Sequence, residues 1–194
     1  MPFPYYDNLS AAQKRIYRKS AAIESITLEN PSALYPAVIK LKKSLEDNKR
    51  RDVARHSSEI CRLVCEDLGV EPLVVEISTK RPSNSTRELH GLYEWVDGET
   101  AVLTVWMKTA ARKQVVAFKS FLRTILHELC HHIDYTHFGL EDSFHTEGFF
   151  KRESSLYRQV VPAELQKREQ RRTTAPTKKI TRQHRKKPKQ MELF

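Results

Sequence analysis

The sequence predicts an α+β domain: a small β-sheet, a long helix carrying the candidate site, N-terminal helices, and a disordered basic C-terminal tail. Three observations predict it. Helical periodicity fills the first third of the chain and returns after residue 112. Strand-like runs cluster between residues 73 and 107. Residues 167–194 hold 11 basic and 2 acidic side chains and too few apolar ones to build a core.

Taken in order, residues 9–27 read as a helix, with Asp7 or Asn8 near its start. A second helix is expected over 32–47 and a third over 50–68, stopped by Gly69. Residues 73–77 read as a strand, and 79–88 as a polar surface loop with three basic residues. Residues 90–96 and 100–107 read as a hairpin, because Asp97-Gly98 between them is a strong tight-turn pair. Residues 112–135 form the next helix, and a last one runs from His145 to about 160, before Pro162. This divides the chain into an N-terminal helical region (1–69), a core (70–162) and a basic tail (163–194), with no internal repeat.

The most informative segment is His127-Glu128-Leu129-Cys130-His131, an HExxH pattern on a helix. Two histidines four apart lie on one helical face about one turn from each other, so both imidazoles can reach one tetrahedral metal ion. Glu128, beside the first of them, is placed to deprotonate an activated water. Phe118, Leu122, Ile125, Leu129 and Ile133 form an apolar stripe on the opposite side, so the helix can pack and present chemistry at once. Cys130 and His132 point off the ligand face. A solvent-facing helix that matches three letters by chance is the competing reading, and the stripe counts against it.

A catalytic zinc takes three protein ligands and keeps one open position. His145 is the favoured third ligand, since the segment 138–144 can break the helix ahead of it. Glu147, Glu153 and His137 remain alternatives. His137 stands where a third motif histidine would stand, but Asp134 occupies the glycine position that would turn the helix there. Asp134 is also a candidate to accept a hydrogen bond from a ligand imidazole. Tyr135, Arg152 and Tyr157 are candidates to stabilise a developing oxyanion.

There is no apolar run of membrane-spanning length and no signal-peptide pattern, which leads to the expectation of a cytoplasmic protein. Cys61, Cys65 and Cys130 fit a reducing compartment, with Cys61 and Cys65 as core residues. Of the net charge of +10, residues 1–166 carry only +1. Arg171, Arg172, Lys178, Lys179, Arg182, Arg185, Lys186, Lys187 and Lys189 concentrate the rest in one arm. Such an arm gains affinity for nucleic acid through counterion release, without reading sequence.

The order strand, hairpin, HExxH helix, break, then His145-Thr146-Glu147-Gly148-Phe149 resembles the SprT-like zinc metallopeptidases, over roughly residues 70–160. That family includes proteases that degrade proteins crosslinked to DNA. The resemblance implies a zincin-like fold, one Zn2+ held by His127, His131 and His145, and Glu128 as general base. The zinc ribbon of many members is missing, and the basic tail stands in its place. The last residues, Gln190-Met191-Glu192-Leu193-Phe194, resemble a bacterial sliding-clamp-binding peptide. That resemblance implies partner contacts through Gln190, Leu193 and Phe194. The expected activity is hydrolysis of peptide bonds in DNA-associated proteins. The alternatives are a regulatory metallopeptidase with one specific partner, and a non-catalytic zinc-containing adaptor tethered to DNA or the clamp.

Overall fold

The computed structural model describes residues 3–82, 89–96 and 98–167. Within them the chain is mixed α+β, with a three-stranded sheet and helices packed on it. After a 3-10 turn at Pro4–Asn8 come α1 (Ala11–Ala22), a second 3-10 turn (Pro31–Leu34), α2 (Tyr35–Glu46) and α3 (Arg50–Leu68). Then follow β1 (Val74–Lys80), β2 (Gly91–Glu94), β3 (Val102–Lys108), α4 (Phe118–Thr136) and α5 (Glu147–Val160). The tail residues 168–194, with every basic and partner-binding candidate from Arg171 to Phe194, lie outside the described residues, as do most of the 79–88 loop and Asp97.

Helix α1 is shorter than the 9–27 expected, at both ends. Ser10 caps it rather than Asp7 or Asn8, because Ser10 and Gln13 form a reciprocal capping box. It stops at Ala22, since Ile23 is extended and α5 takes over the backbone that follows. Gln159 Nε2 donates to the Ile26 carbonyl (2.6 Å) and Oε1 of Gln159 accepts from Leu28 N–H (2.9 Å). Helix α3 matches its expected span. Gly69 adopts φ +64° there, a left-handed stop that closes the last carbonyls.

The sheet order is β1-β3-β2. Strand β3 is central, parallel to β1 and antiparallel to β2. Its Leu103, Val105 and Met107 face the core, and the alternating Thr104 and Trp106 are buried too, as a central strand requires. The hairpin pairing exists: the last pair is Glu94↔Val102, residues 95–101 connect the strands, and within that connection Glu99 N–H bonds the Val96 carbonyl (3.0 Å). Strand β1 runs on to Lys80, into the expected loop, because β3 offers it parallel partners through Lys108. Helix α4 begins at Phe118, not 112. Val116 N–H bonds the Met107 carbonyl (2.8 Å), and Lys113 has φ +51°, so residues 109–117 fold back on β3 instead of starting a helix.

Helix α4 lies against β2 and β3, α5 against α4, α1 against α5, and α3 against α2 and β1. One apolar cluster runs from Ile26 through α2 and α3 to Val161, so the N-terminal helices share the core that supports α4. Cys61, Cys65 and Cys130 are buried thiols inside it. No helix among the described residues is long and apolar enough to cross a membrane.

Candidate metal centre

Helix α4 brings His127 and His131 to one face, beside a cavity of about 650 Å³ that also receives Glu128 and His145. The two helical histidines follow from local periodicity. His145 does not: it precedes α5 instead of opening it, and Thr146 is the cap, its hydroxyl accepting from Phe149 N–H (3.0 Å). The loop returning from α4 sets its place. Gly139 has φ +56°, Leu140 N–H bonds the Asp134 carbonyl (2.9 Å), and the Tyr5 hydroxyl donates to the His145 carbonyl (2.8 Å). Phe149 and Phe150 flank the His145 ring.

His127, His131 and His145 lie close enough to hold one metal ion. The Nε2 atom of His145 stands 2.9 Å from His127 Nε2 and 3.1 Å from His131 Nε2. Nitrogens facing one another at this distance need a proton or a cation between them. Zn–N bonds of about 2.0 Å in a tetrahedral site put ligand nitrogens about 3.3 Å apart, close to what is seen. The far sides of two rings are also occupied as ligands require: His127 Nδ1 lies 3.3 Å from Glu153 Oε2, and His131 Nδ1 2.7 Å from Ser143 Oγ. Burial, then the neighbouring His127 and His145, pulls His131 down to about 3, so its lone pair is free at neutral pH. Burial and His127 pull His145 down as well, against a pull upward from Glu153. The donor set fits a divalent ion that accepts imidazole.

Glu128 is 8% exposed and lines the same cavity. Burial pushes its carboxyl up to about 7, against a pull from His127. Gly91 of β2 lies directly over it. A Cβ at residue 91 would meet the Glu128 side chain and Thr124 at 2.7 Å, so only glycine lets the strand come this close. Among the described residues strand β2 is an edge strand, and Leu89, Gly91, Leu92 and Tyr93 form one wall of the cavity. Comparison with protein-family models, curated proteins and solved structures returns no match.

The other sequence candidates sort by position. His137 caps the end of α4, its ring against Phe138, and is not in the cluster. Glu147 is exposed and pairs with Lys151 (3.0 Å). Glu153 sits behind His127: burial opposes its ionisation, but His127 and Arg123 outweigh burial and hold its carboxyl below the usual range. Asp134 does not touch a ligand ring. It accepts from Ser143 Oγ (2.8 Å), which contacts His131 in turn. Arg152 is fully buried against Asp134, and Tyr157 lies under Arg123, so neither reaches the cavity as an oxyanion donor. Tyr135 alone of those three lines it, stacked between Tyr93 and Trp95.

His132 turns away, donating from Nε2 to the Glu71 carbonyl (2.8 Å) and accepting from the Tyr93 hydroxyl (3.1 Å). That bond fixes the β2 wall to α4. Sequence reasoning missed Ser143, Gly91 and Tyr93. The only sequence signal for them is a glycine opening a strand-like run just ahead of the motif helix.

Proposed function

We propose that the chain is a zinc-dependent metallopeptidase with a zincin-like fold of SprT-like type, a cytoplasmic enzyme that hydrolyses peptide bonds in DNA-associated proteins. One observation carries the reading: three imidazole nitrogens converge beside a buried carboxylate, on a cavity whose wall is, among the described residues, the free edge of a sheet. Bound zinc supplies Lewis acidity, which acidifies a water and polarises a carbonyl.

His127, His131 and His145 hold the ion. Glu128 takes the proton of the attacking water and delivers it to the leaving amine; its raised pKa suits a group that must do both. The outer edge of β2, paired among the described residues with β3 alone, offers backbone groups to an extended peptide. Strand β3 cannot take that role, because it is paired on both sides. The basic arm from Arg171 to Lys189 brings the catalytic core to nucleic acid, and the terminal Gln190, Leu193 and Phe194 dock on a sliding clamp.

The test is cleavage by zinc-loaded protein of one basic substrate protein, free and bound to DNA, with wild type and Glu128→Gln. Cleavage by the wild type, faster on DNA, and none by a zinc-retaining Glu128→Gln is expected. Cleavage that survives Glu128→Gln overturns the assigned base. Zinc binding without cleavage of either substrate favours the adaptor.

A further inference from the structure

Behind the proposed metal ligands lies a fully buried ion pair that cleavage chemistry does not use. Arg152 and Asp134 are both 0% exposed. Arg152 Nη2 donates to Asp134 Oδ1 (2.8 Å) and Oδ2 (3.0 Å). Its Nη1 donates to the carbonyls of Ser20 (2.7 Å) and Ile23 (2.6 Å), where α1 ends. Buried ion pairs are poor sources of net stability, because desolvation consumes most of the attraction. What this pair does supply is direction.

Arginine has donors only, so both Asp134 oxygens must accept. Asp134 Oδ2 also receives the Ser143 hydroxyl at 2.8 Å. Serine has one proton, and it is committed to Asp134. Ser143 Oγ can therefore meet His131 Nδ1, 2.7 Å away, only as an acceptor. The Nδ1 of His131 must then carry the ring proton, and Nε2, the atom facing His145 and His127, is left as a lone pair. Each polarity fixes the next.

We propose that Arg152, Asp134 and Ser143 form a positioning relay that locks His131 in its metal-binding tautomer and thereby sets the affinity of the site for zinc. The relay rests on the reading that the three histidines hold a metal. It also makes the end of α1 part of the metal centre, since Arg152 is held there by two carbonyls and the Ser20 hydroxyl (3.1 Å).

Asp134→Asn tests the relay with a side chain of nearly the same size. With its oxygen at the Oδ1 position, asparagine keeps the shorter bond from Arg152 and loses the 3.0 Å one, and its amide at the Oδ2 position turns an N–H toward Ser143. Ser143 then accepts from Asn and donates to His131 Nδ1, which moves the ring proton to Nε2. The full chain would be titrated with Zn2+ against a competing chelator as wild type, Asp134→Asn, Ser143→Ala and Ser143→Thr. Melting of each metal-free form would be recorded alongside. Asp134→Asn and Ser143→Ala are expected to bind zinc about 10- to 100-fold more weakly, and Ser143→Thr, which keeps the hydroxyl, close to wild type.

Wild-type affinity in both Asp134→Asn and Ser143→Ala overturns the relay. So does weaker binding that only tracks a loss of metal-free melting temperature. The 15N shifts of the His131 ring in metal-free wild type give a reading that needs no variant. A proton on Nδ1 is expected, and one on Nε2 overturns the relay whatever zinc does. Wild type that binds no zinc contradicts the metal reading instead, and the tautomer then decides the relay separately.

Discussion

His127 and His131 stand on the middle of a regular helix, while His145 stands on irregular chain just before another. The helical pair is spaced by 3.6-residue periodicity and supported by its own element: Leu126, Leu129 and Cys130 around it are fully buried. His145 is placed by distant partners, Tyr5 through its carbonyl and the Ser20–Thr146 hydroxyl contact (3.1 Å) through the next residue. Two candidate ligands are thus placed by local sequence and the third by tertiary structure. Damage to the first pair should remove the metal and spare the fold. Damage to the supports of the third should act through the N-terminal segment.

The largest effect is expected at the helical pair. His131→Ala should lose stoichiometric zinc while its far-ultraviolet circular dichroism stays that of wild type. Arg152→Met comes next, because it leaves the Asp134 carboxylate buried without its cation; urea denaturation should show a loss of about 3–5 kcal/mol. That cost should appear in the metal-free protein too, which separates it from a ligand defect.

Gly91→Ala should cost about 1–3 kcal/mol, by pushing β2 off Glu128 and Thr124. If it cuts cleavage while zinc is retained, the edge strand is placed for Glu128 and not for the histidines. Tyr5→Phe should cost about 1 kcal/mol, read as roughly fivefold in zinc affinity. An unchanged affinity would mean that His145 holds its place without the N-terminal segment. The smallest effect is expected from Glu46→Ala, which removes the exposed Lys42–Glu46 pair. Thermal unfolding should move by under about 0.5 kcal/mol there.

What the sequence made legible follows the same division. Helix α3 and the helical histidines could be read because their signals are local: period, cap and motif. Helix α4 could not be started correctly, since the bridge from Lys108 to Val115 overrides the helical pattern of residues 112–117. The end of α1 was hidden because Gln159 and Arg152, more than a hundred residues away, satisfy the carbonyls that leave it. The sheet order was hidden as well: nothing in the runs themselves says that β3 enters between β1 and β2.

Within the site, Asp134 was singled out as a partner of a ligand ring, but its contact passes through Ser143, which the chain brings back only by turning at Gly139. Arg152, an oxyanion candidate on sequence, is buried against Asp134 instead. Its position three residues after Phe149 reads as helix surface until α1 is packed over it.

The central claim is that three histidines, two from α4 and one from the loop before α5, hold one zinc ion. Zinc per chain, measured on purified wild type and His145→Ala after equal zinc loading and dialysis, tests it most directly. The account predicts about one zinc in the wild type and clear loss in the variant. Full retention in His145→Ala, or no zinc in the wild type, would contradict it.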